Sequence, residues 1–503
     1  MTKQNDKQKM ANAPSAPVAS IEWSHPLEAW VKKDWVRWVM QKLAADRHGT
    51  ARPHLERALA SYGDPHAPLH ERLAYWPIHK IIDRMGGAGK REQLYQKLGG
   101  HPPTLRGIVA TTRSVAHFGL STPQRWLNPL FVVWNFTDRC NLHCRHCYQS
   151  STNRPARKEL TLREKLAVLD EFGRNYVAMV AFAGGEPTLS KDLEPALRRC
   201  ARYGIHTSLA THGGLLTAAR CDSLAEAGLR YVEVSLDSVD PEKHNRFRGV
   251  PGAWRQAVQG IRNVVAHPSL RAGIAMCVTQ QNLAEVEPML EFAEELGVSC
   301  FAHFNFIPTG RGAGIEKEDI SPQQREELLM LLRDWMNSRR LGVISTAPQF
   351  GRVCLSGDDN ESMMSCSHAG NAAGVKARVV AKYLGGCGAG RTYACLQPNG
   401  DVTPCVYMPK RIMGNIREKS FTEIFQQSPW WDLFCNRQER EDACGTCEYR
   451  LYCGGCRARA DAYFNRLDHA DPGCIRNLDH WHKLTQASST APSCAPATVS
   501  LTP

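Results

Sequence analysis

The chain has 503 residues, 43% of them hydrophobic, 19 cysteines and a net charge of +12 from 62 Lys and Arg against 50 Asp and Glu. That length implies more than one domain and ample apolar mass for a core, and the absence of any run of about eighteen apolar residues excludes a membrane-spanning helix. The first twenty residues are polar and carry Lys3, Asp6, Lys7 and Lys9, so no secretory signal is expected, the expected compartment is cytoplasmic, and the cysteines argue for metal or cluster ligation over a disulfide framework.

Residues 1–20 lack periodicity and read as disordered. Residues 21–125 read as a helical N-terminal domain. Its first helix begins at Pro26, where Leu27, Val31, Trp35, Trp38 and Val39 recur at three- and four-residue steps with Lys32, Lys33, Asp34 and Arg37 between them. Further helices are predicted near 53–62, 68–86 and 89–98, broken by Gly and Pro clusters. Residues 1–125 hold 19 Lys and Arg and 10 Asp and Glu, so most of the positive charge lies here. A Trp-rich basic helix suits either a membrane surface or packing on its own protein. The basic excess suits nucleic acid, anionic lipid, an acidic substrate or a plain solvated surface.

At Phe131 the pattern changes to strands alternating with helices. Strands are predicted at 131–136, 177–182, 206–211, 231–236, 272–278 and 300–306, with helices near 161–173, 189–203, 217–227, 252–266 and 284–296. Thr161 to Glu164 reads as a capping box ahead of an apolar run. Six alternations imply a parallel sheet with right-handed crossovers. No G-x-G-x-x-G follows the first strand, which disfavours a dinucleotide-binding fold. The expected fold class is therefore α/β, with a partial (β/α)6 barrel over 126–312. Residues 313–386 are expected to bridge with one helix, 321–340, and irregular loops from 341 onward. A small cysteine-rich C-terminal domain follows over 387–480, and 481–503 read as a disordered tail.

Chemistry concentrates at strand ends. Cys140, Cys144 and Cys147, spaced C-x3-C-x2-C, lie on the loop leaving the first strand, where α/β proteins place their reactive groups. Three thiolates can hold three irons of a [4Fe–4S] cube and leave the fourth open; with His143 or His146 they could equally hold zinc. After the second strand, Gly184-Gly185-Glu186-Pro187 allows close approach of a ligand and sets a carboxylate where an ammonium group would sit, or simply turns the chain. The third strand ends in Thr211-His212-Gly213-Gly214. The fourth ends in Ser235-Leu236-Asp237-Ser238, whose side chains suit sugar hydroxyls or helix N-caps. Arg311, after the sixth strand, suits a carboxylate. A second run of cysteines, Cys387, Cys395, Cys405, Cys444, Cys447, Cys453, Cys456 and Cys474, fits zinc or iron–sulfur ligation, and Asn399-Gly400 signals a hairpin.

Taken together, C-x3-C-x2-C, GGEP and SLDS at successive strand ends resemble the radical S-adenosylmethionine (SAM) superfamily over 126–312. The resemblance implies a [4Fe–4S] cluster on Cys140, Cys144 and Cys147. It implies contacts from Gly184, Gly185 and Glu186 to the amino group of SAM and from Ser235 and Asp237 to its ribose. His146 stands where the family usually has an aromatic residue bordering the adenine. The implied reaction is reductive cleavage of SAM to methionine and a 5′-deoxyadenosyl radical that abstracts a substrate hydrogen inside an enclosing barrel.

The C-terminal cysteines resemble the SPASM extension of that superfamily. Cys387, twelve residues, Gly400, four residues and Cys405 follow its first half. Cys453 and Cys456 depart from its second half, being separated by two residues instead of three. The resemblance implies one or two auxiliary [4Fe–4S] clusters, the nearer on Cys387, Cys405 and Cys456 and the farther on Cys444, Cys447, Cys453 and Cys474. Cys395 is then either a fourth ligand of the nearer cluster or a core residue on a strand. The run from Cys387 to Ala460 resembles the heme and heme d1 branch more than the peptide-modifying branch. Substrates of either kind, a small molecule such as a carboxylate-rich tetrapyrrole or a peptide, are implied, with an electron donor such as a flavodoxin or ferredoxin. Two other classes stand beside this reading: a zinc-bearing nucleic-acid-binding protein, and a cluster-bearing electron-transfer protein. The first is disfavoured because the basic charge lies away from the cysteines and no nucleic-acid-binding motif is present.

Overall fold

The computed structural model describes residues 26–45, 52–84, 95, 101–155, 158–338, 340–355, 363–365, 371–373, 375–440, 442–479 and 481–482. Strands β1 (Phe131–Thr137), β2 (Met179–Gly184), β3 (His206–Thr211), β4 (Tyr231–Ser235), β5 (Arg271–Val278) and β6 (Cys300–Asn305) follow one another in sheet order as well as in chain order. Every neighbouring pair is parallel. Each crossover carries helices: α7 (Leu162–Arg174), α8 (Leu193–Arg202), α9 (Ala218–Glu226), α10 (Pro241–Arg248) with α11 (Ala253–Ala266), and α12 (Val286–Glu295). The capping box at the start of α7 is formed: Glu164 N–H donates to Thr161 Oγ1, and Thr161 N–H donates to Glu164 Oε2 at 2.7 Å.

The sheet runs past both ends of the expected barrel. After α13 (Pro322–Ser338), β7 (Gly342–Ser345) pairs in parallel with β6. The segment 341–386, expected to be irregular, therefore contributes a seventh parallel strand. It also holds helices α14 (Gln349–Leu355) and α15 (Val375–Leu384), with a two-stranded sheet of β8 (Met363–Ser365) and β9 (Asn371–Ala373). Four residues of strand between Gly and Ser clusters give too short an alternation to stand out in sequence. On the opposite edge, β10 (Tyr393–Leu396) lies parallel to β1 with Val133 opposite Cys395. A turn through Gly400, at φ +93°, leads to the antiparallel β11 (Asp401–Thr403) and then β12 (Gly414–Asn415). The cysteine-rich region is thus joined to the barrel by a continuous sheet.

Alternation sorts the two faces of that sheet. Val132, Trp134, Phe136, Val180, Phe182, Val232, Val234 and Ile274 pack with the crossover helices in the main core. The other face is lumen. It carries Asn135, Glu233, Ser235, Cys277 and Cys395, and its β1–β10 corner belongs to a second apolar cluster with Tyr393, Met408 and Cys456.

The N-terminal segment departs from expectation in three ways. The single helix expected from Pro26 is two, α1 (Pro26–Val31) and α2 (Asp34–Ala44), broken at Lys32-Lys33. Its inner face is Val36 and Ala44, both buried, while Trp35 and Trp38 point out. After α3 (His54–Ala60), α4 (Leu69–Ala74) and α5 (Trp76–Ile82), the helix expected at 89–98 falls outside the described residues except for Tyr95. The longest N-terminal helix among the described residues, α6 (Pro102–Phe118), was hidden by its Pro102-Pro103 start, which reads as a break but is compatible with a first turn whose N–H groups need no helical partner. Arg106 of α6 ties the segment to the barrel, donating from Nε to Val177 O at 2.9 Å, from Nη1 to Tyr203 O at 2.8 Å, and from Nη2 to Phe172 O and Gly173 O at 2.9 Å each.

Candidate active site

The loop leaving β1 is held from three sides. Beneath it, Gly185 N–H donates to Thr137 O at 2.8 Å and Glu186 N–H to Arg139 O at 2.7 Å. A Cβ on Gly185 would lie 2.6 Å from the Arg139 carbonyl carbon, and one on Gly184 2.7 Å from Thr137 O. The two glycines therefore admit the backbone of the cysteine loop itself. The sequence had pointed to close approach by a ligand; the close neighbour in the structure is protein. The Glu186 carboxylate is fully buried and accepts from Thr188 N–H, Thr188 Oγ1, Thr211 Oγ1 and His212 N–H. Its hydrogen bonds fix the ends of β2 and β3 together.

From the β4 side comes α10, a helix the sequence did not reveal. Its residues PEKHNRFR carry no apolar stripe, so periodicity is silent. The available signal was Asp240-Pro241, an N-cap with Pro at the first helical position; Asp240 Oδ1 accepts from Glu242 N–H at 2.8 Å and from Lys243 N–H at 3.1 Å. The helix ends on Gly249, where a Cβ would meet His143 O at 2.5 Å. The cysteine loop hangs on this end: His143 N–H donates to Arg248 O at 3.1 Å and Arg145 N–H to Phe247 O at 3.0 Å. Phe247 stacks on His146, centroids 4.2 Å apart and planes 12° from parallel. Arg248 Nε donates to Asp237 Oδ2 at 2.6 Å, and its Nη1 lies 3.7 Å from Cys144 Sγ. Asp237 Oδ1 accepts from Cys277 N–H at 3.0 Å. The Asp237 carboxylate is buried and spent on Arg248 and the β5 backbone, whereas Ser235 is half-buried at the lumen end of β4.

From the β6 side, Arg311 donates through Nε to Cys144 O at 2.9 Å and through Nη1 to Ser151 O at 2.7 Å, while its N–H donates to Cys147 O at 2.9 Å. The guanidinium read from sequence as a carboxylate receptor is a clamp on the loop backbone.

Burial sets the electrostatics. It pushes the Cys140 thiol up to about 12 and raises Cys144, where the Arg248 charge partly opposes it. Burial, then Arg248, Arg311 and Arg145, hold His146 well below the usual imidazole range, so its ring is neutral. Its Nδ1 is buried without a partner among the described residues.

The distal cysteines fall into two groups. Cys456 packs with Cys387 and Cys405 in the second apolar cluster. Burial, with the Cys387 thiol behind it, pushes Cys405 up to about 12, and burial, then Asp471 and Cys387, raise Cys456. Cys444, Cys453 and Cys474 form the other set; burial, then Cys474 and Cys444, raise Cys453, and burial pushes Cys474 up to about 12. Cys447 is half-buried. Gly454 and Gly455, at φ +69° and +66°, separate Cys453 from Cys456. Two successive left-handed residues reverse the chain tightly enough that these cysteines serve opposite groups with only two residues between them. Cys395 is buried on β10 and accepts from Gln397 Nε2 at 3.4 Å and Asn135 Nδ2 at 3.6 Å. Between this corner and the first loop, Tyr148 and Tyr407 pack edge to face at 5.2 Å, and Tyr148 O–H donates to Asn135 Oδ1.

Comparison with known proteins decides what this arrangement is. The family model described as the radical SAM superfamily matches residues 134–293, and that of an iron–sulfur cluster-binding domain, SPASM, matches 387–448. An AdoMet-dependent heme synthase of Methanosarcina barkeri is 32% identical over 348 residues, covering 69% of this chain and 96% of the relative. The chain belongs to the radical SAM superfamily. A pre-heme d1 synthase of Dinoroseobacter shibae is 27% identical, with 68% and 85% covered, and a mycofactocin maturase, MftC, of Mycobacterium ulcerans is 28% identical, with 69% and 88% covered. Among solved structures, Streptococcus suis SuiB shares the fold at a TM-score of 0.59 and 17% identity, covering 84% of this chain and 94% of that one. The protein is thus a radical SAM enzyme that uses SAM and [4Fe–4S] clusters.

The residues present fit those groups. No disulfide joins the described cysteines, and several sulfurs already receive donors, as iron-bound thiolates do. Leu142 N–H points at Cys140 Sγ, Gly455 N–H at Cys453 Sγ and Asp471 N–H at Cys444 Sγ, each at 3.4 Å. The zinc reading that the distal spacing left open is answered by the match of 387–448 to an iron–sulfur cluster-binding domain.

Proposed function

We propose that this enzyme acts on a carboxylate-bearing tetrapyrrole. SAM and a reduced [4Fe–4S] cluster, when bound, would supply the 5′-deoxyadenosyl radical that takes a substrate hydrogen. Cys140, Cys144 and Cys147 hold that cluster. The Gly184–Glu186 backbone, Ser235 and the neutral ring of His146 face SAM, while the buried carboxylates of Glu186 and Asp237 position these groups through hydrogen bonds inside the protein. Cys387, Cys405 and Cys456 hold one auxiliary cluster, and Cys444, Cys447, Cys453 and Cys474 the other. Arg311 and Arg248 keep the first loop in register with the strand ends, and β10 extends the sheet beside β1.

The observation carrying this reading is the meeting of the cysteine loop, the Gly184–Gly185 backbone and the α10 terminus at the lumen end of β1, in a chain spanning nearly the whole of a heme synthase. The tetrapyrrole rests on that relative and on the pre-heme d1 synthase. The mycofactocin maturase supports peptide modification as a second reading. A flavodoxin or ferredoxin in the cytoplasm is the proposed source of electrons. The test is anaerobic turnover of the reconstituted protein with SAM and dithionite, offering Fe-coproporphyrin III or a peptide. Substrate-dependent 5′-deoxyadenosine with the tetrapyrrole supports the proposal, and its appearance only with peptide overturns it.

A further inference from the structure

The N-terminal helices carry a surface the catalytic reading does not use. Twelve large hydrophobic side chains are exposed among the described residues, and seven of them, Trp30, Trp35, Trp38, Leu69, Leu73, Trp76 and Ile81, fall within 26–84. Trp35, Trp38 and Lys42 recur at three and four residues, a single stripe along α2. That stripe cannot turn inward. Val36 and Ala44 are buried on the opposite face, where Arg37 Nη2 donates to His117 O and Gln41 Nε2 to Ala116 O, both at 3.1 Å. Trp30 packs edge to face on Trp35 at 5.4 Å and extends the stripe through α1.

From this geometry we infer that α1, α2, α4 and α5 dock the enzyme on an anionic lipid surface. The rings and cations come in pairs: Lys42 Nζ sits 5.7 Å from the Trp38 ring centroid, and Lys80 Nζ 5.7 Å from that of Trp76. Lys32 and Lys33, both exposed, lie between α1 and α2 at the other end of the stripe from Lys42. Tryptophan with an amphipathic body and lysine with a long apolar stem are the side chains that settle at the level of lipid headgroups. The charge matches the partner as well, since residues 1–125 carry nine more basic than acidic residues, 19 against 10, and each Lys or Arg near an anionic leaflet adds to the attraction. The paired cations are lysines, which protein–protein interfaces deplete, so the surface is unlike one awaiting another protein. The family matches begin at residue 134, so the surface lies in a part of the chain that precedes the radical SAM match.

The test is co-sedimentation of the full reconstituted enzyme with vesicles of phosphatidylcholine alone or with one third phosphatidylserine. The expected result is binding only to the phosphatidylserine vesicles, reversed by high salt. The double variants Trp35→Ser/Trp38→Ser and Lys32→Glu/Lys33→Glu should each weaken binding about tenfold or more, with 5′-deoxyadenosine formation unchanged as proof of folding. Absence of vesicle binding, equal binding of wild type and the Trp variant, or a wild-type dimer that Trp35→Ser/Trp38→Ser dissociates would each overturn the proposal; the last would assign the surface to a second copy of this chain.

Discussion

Replacing Gly185 by Ala tests how the site is built. The added Cβ would sit 2.6 Å from the Arg139 carbonyl carbon and closer still to its oxygen, about 1 Å inside the roughly 3.5 Å at which carbon atoms meet. Arg139 cannot simply recede. Its carbonyl accepts from Glu186 N–H at 2.7 Å, and the next residue, Cys140, is pinned by its own N–H to Thr152 O at 2.7 Å. The overlap therefore moves the segment bearing the first thiol, or separates it from β2. Overpacking of this kind costs about 1–3 kcal/mol, and a displacement of about 1 Å at a reacting centre costs about a hundredfold in rate. Iron content, visible absorbance and 5′-deoxyadenosine formation would be measured on anaerobically reconstituted protein. The expected outcome is about a hundredfold less 5′-deoxyadenosine, with iron lost from the first site and auxiliary absorbance retained. Wild-type iron and rate in Gly185→Ala would refute the close-approach argument. Full iron with only a raised KM for SAM would show instead that the glycine serves the ligand directly.

Three other substitutions follow from the same structure. Burial pushes the Glu233 carboxyl up to about 7 from 4.5; the folded state then holds its proton more tightly than the unfolded one, so the stability it contributes is complete below pH 4.5 and lost as pH rises through 7, by about 3 kcal/mol. Glu233→Gln should match wild type in denaturant titrations near pH 4.5 and be more stable by about that amount at pH 8, and equal stability at pH 8 would contradict the assignment. Asp237→Asn strands the buried Arg248 guanidinium without its anion, and chemical denaturation should show a loss of about 3–5 kcal/mol; wild-type stability with weakened SAM binding alone would return Asp237 to the ribose. Cys395→Ala should keep the wild-type iron count, because the residue lies within strand β10, paired with Val133 of β1, and not on a cysteine loop; loss of an entire cluster's iron would make it a ligand.

The strands were legible because short apolar, β-branched runs such as Phe131–Phe136 stand between helices that carry ordinary apolar stripes. The cysteines were legible because their spacing is local. What escaped was long-range. Arg248 and Phe247 lie about a hundred residues after the loop they hold, on a helix whose polar residues give no amphipathic signal. Arg311 looked like a receptor because sequence cannot show that the Cys144 and Ser151 carbonyls already occupy it. The tryptophans of α2 were left between a membrane surface and the protein's own core because hydrophobicity alone does not choose a face, whereas the contact with α6 selects the narrower Val and Ala face. Gly454-Gly455 showed a departure in spacing, but only their backbone conformation explains how the shorter link still serves both groups of cysteines.

The central claim is that a tetrapyrrole gives up a hydrogen to SAM-derived 5′-deoxyadenosine on this chain. Reconstituted enzyme would be incubated with dithionite, SAM and Fe-coproporphyrin III deuterated in its side chains, and the 5′-deoxyadenosine analysed by mass spectrometry. The account predicts deuterium in that product, and none formed when Cys140, Cys144 and Cys147 are all replaced by Ala. Unlabelled 5′-deoxyadenosine formed at the same rate with and without the tetrapyrrole would contradict it.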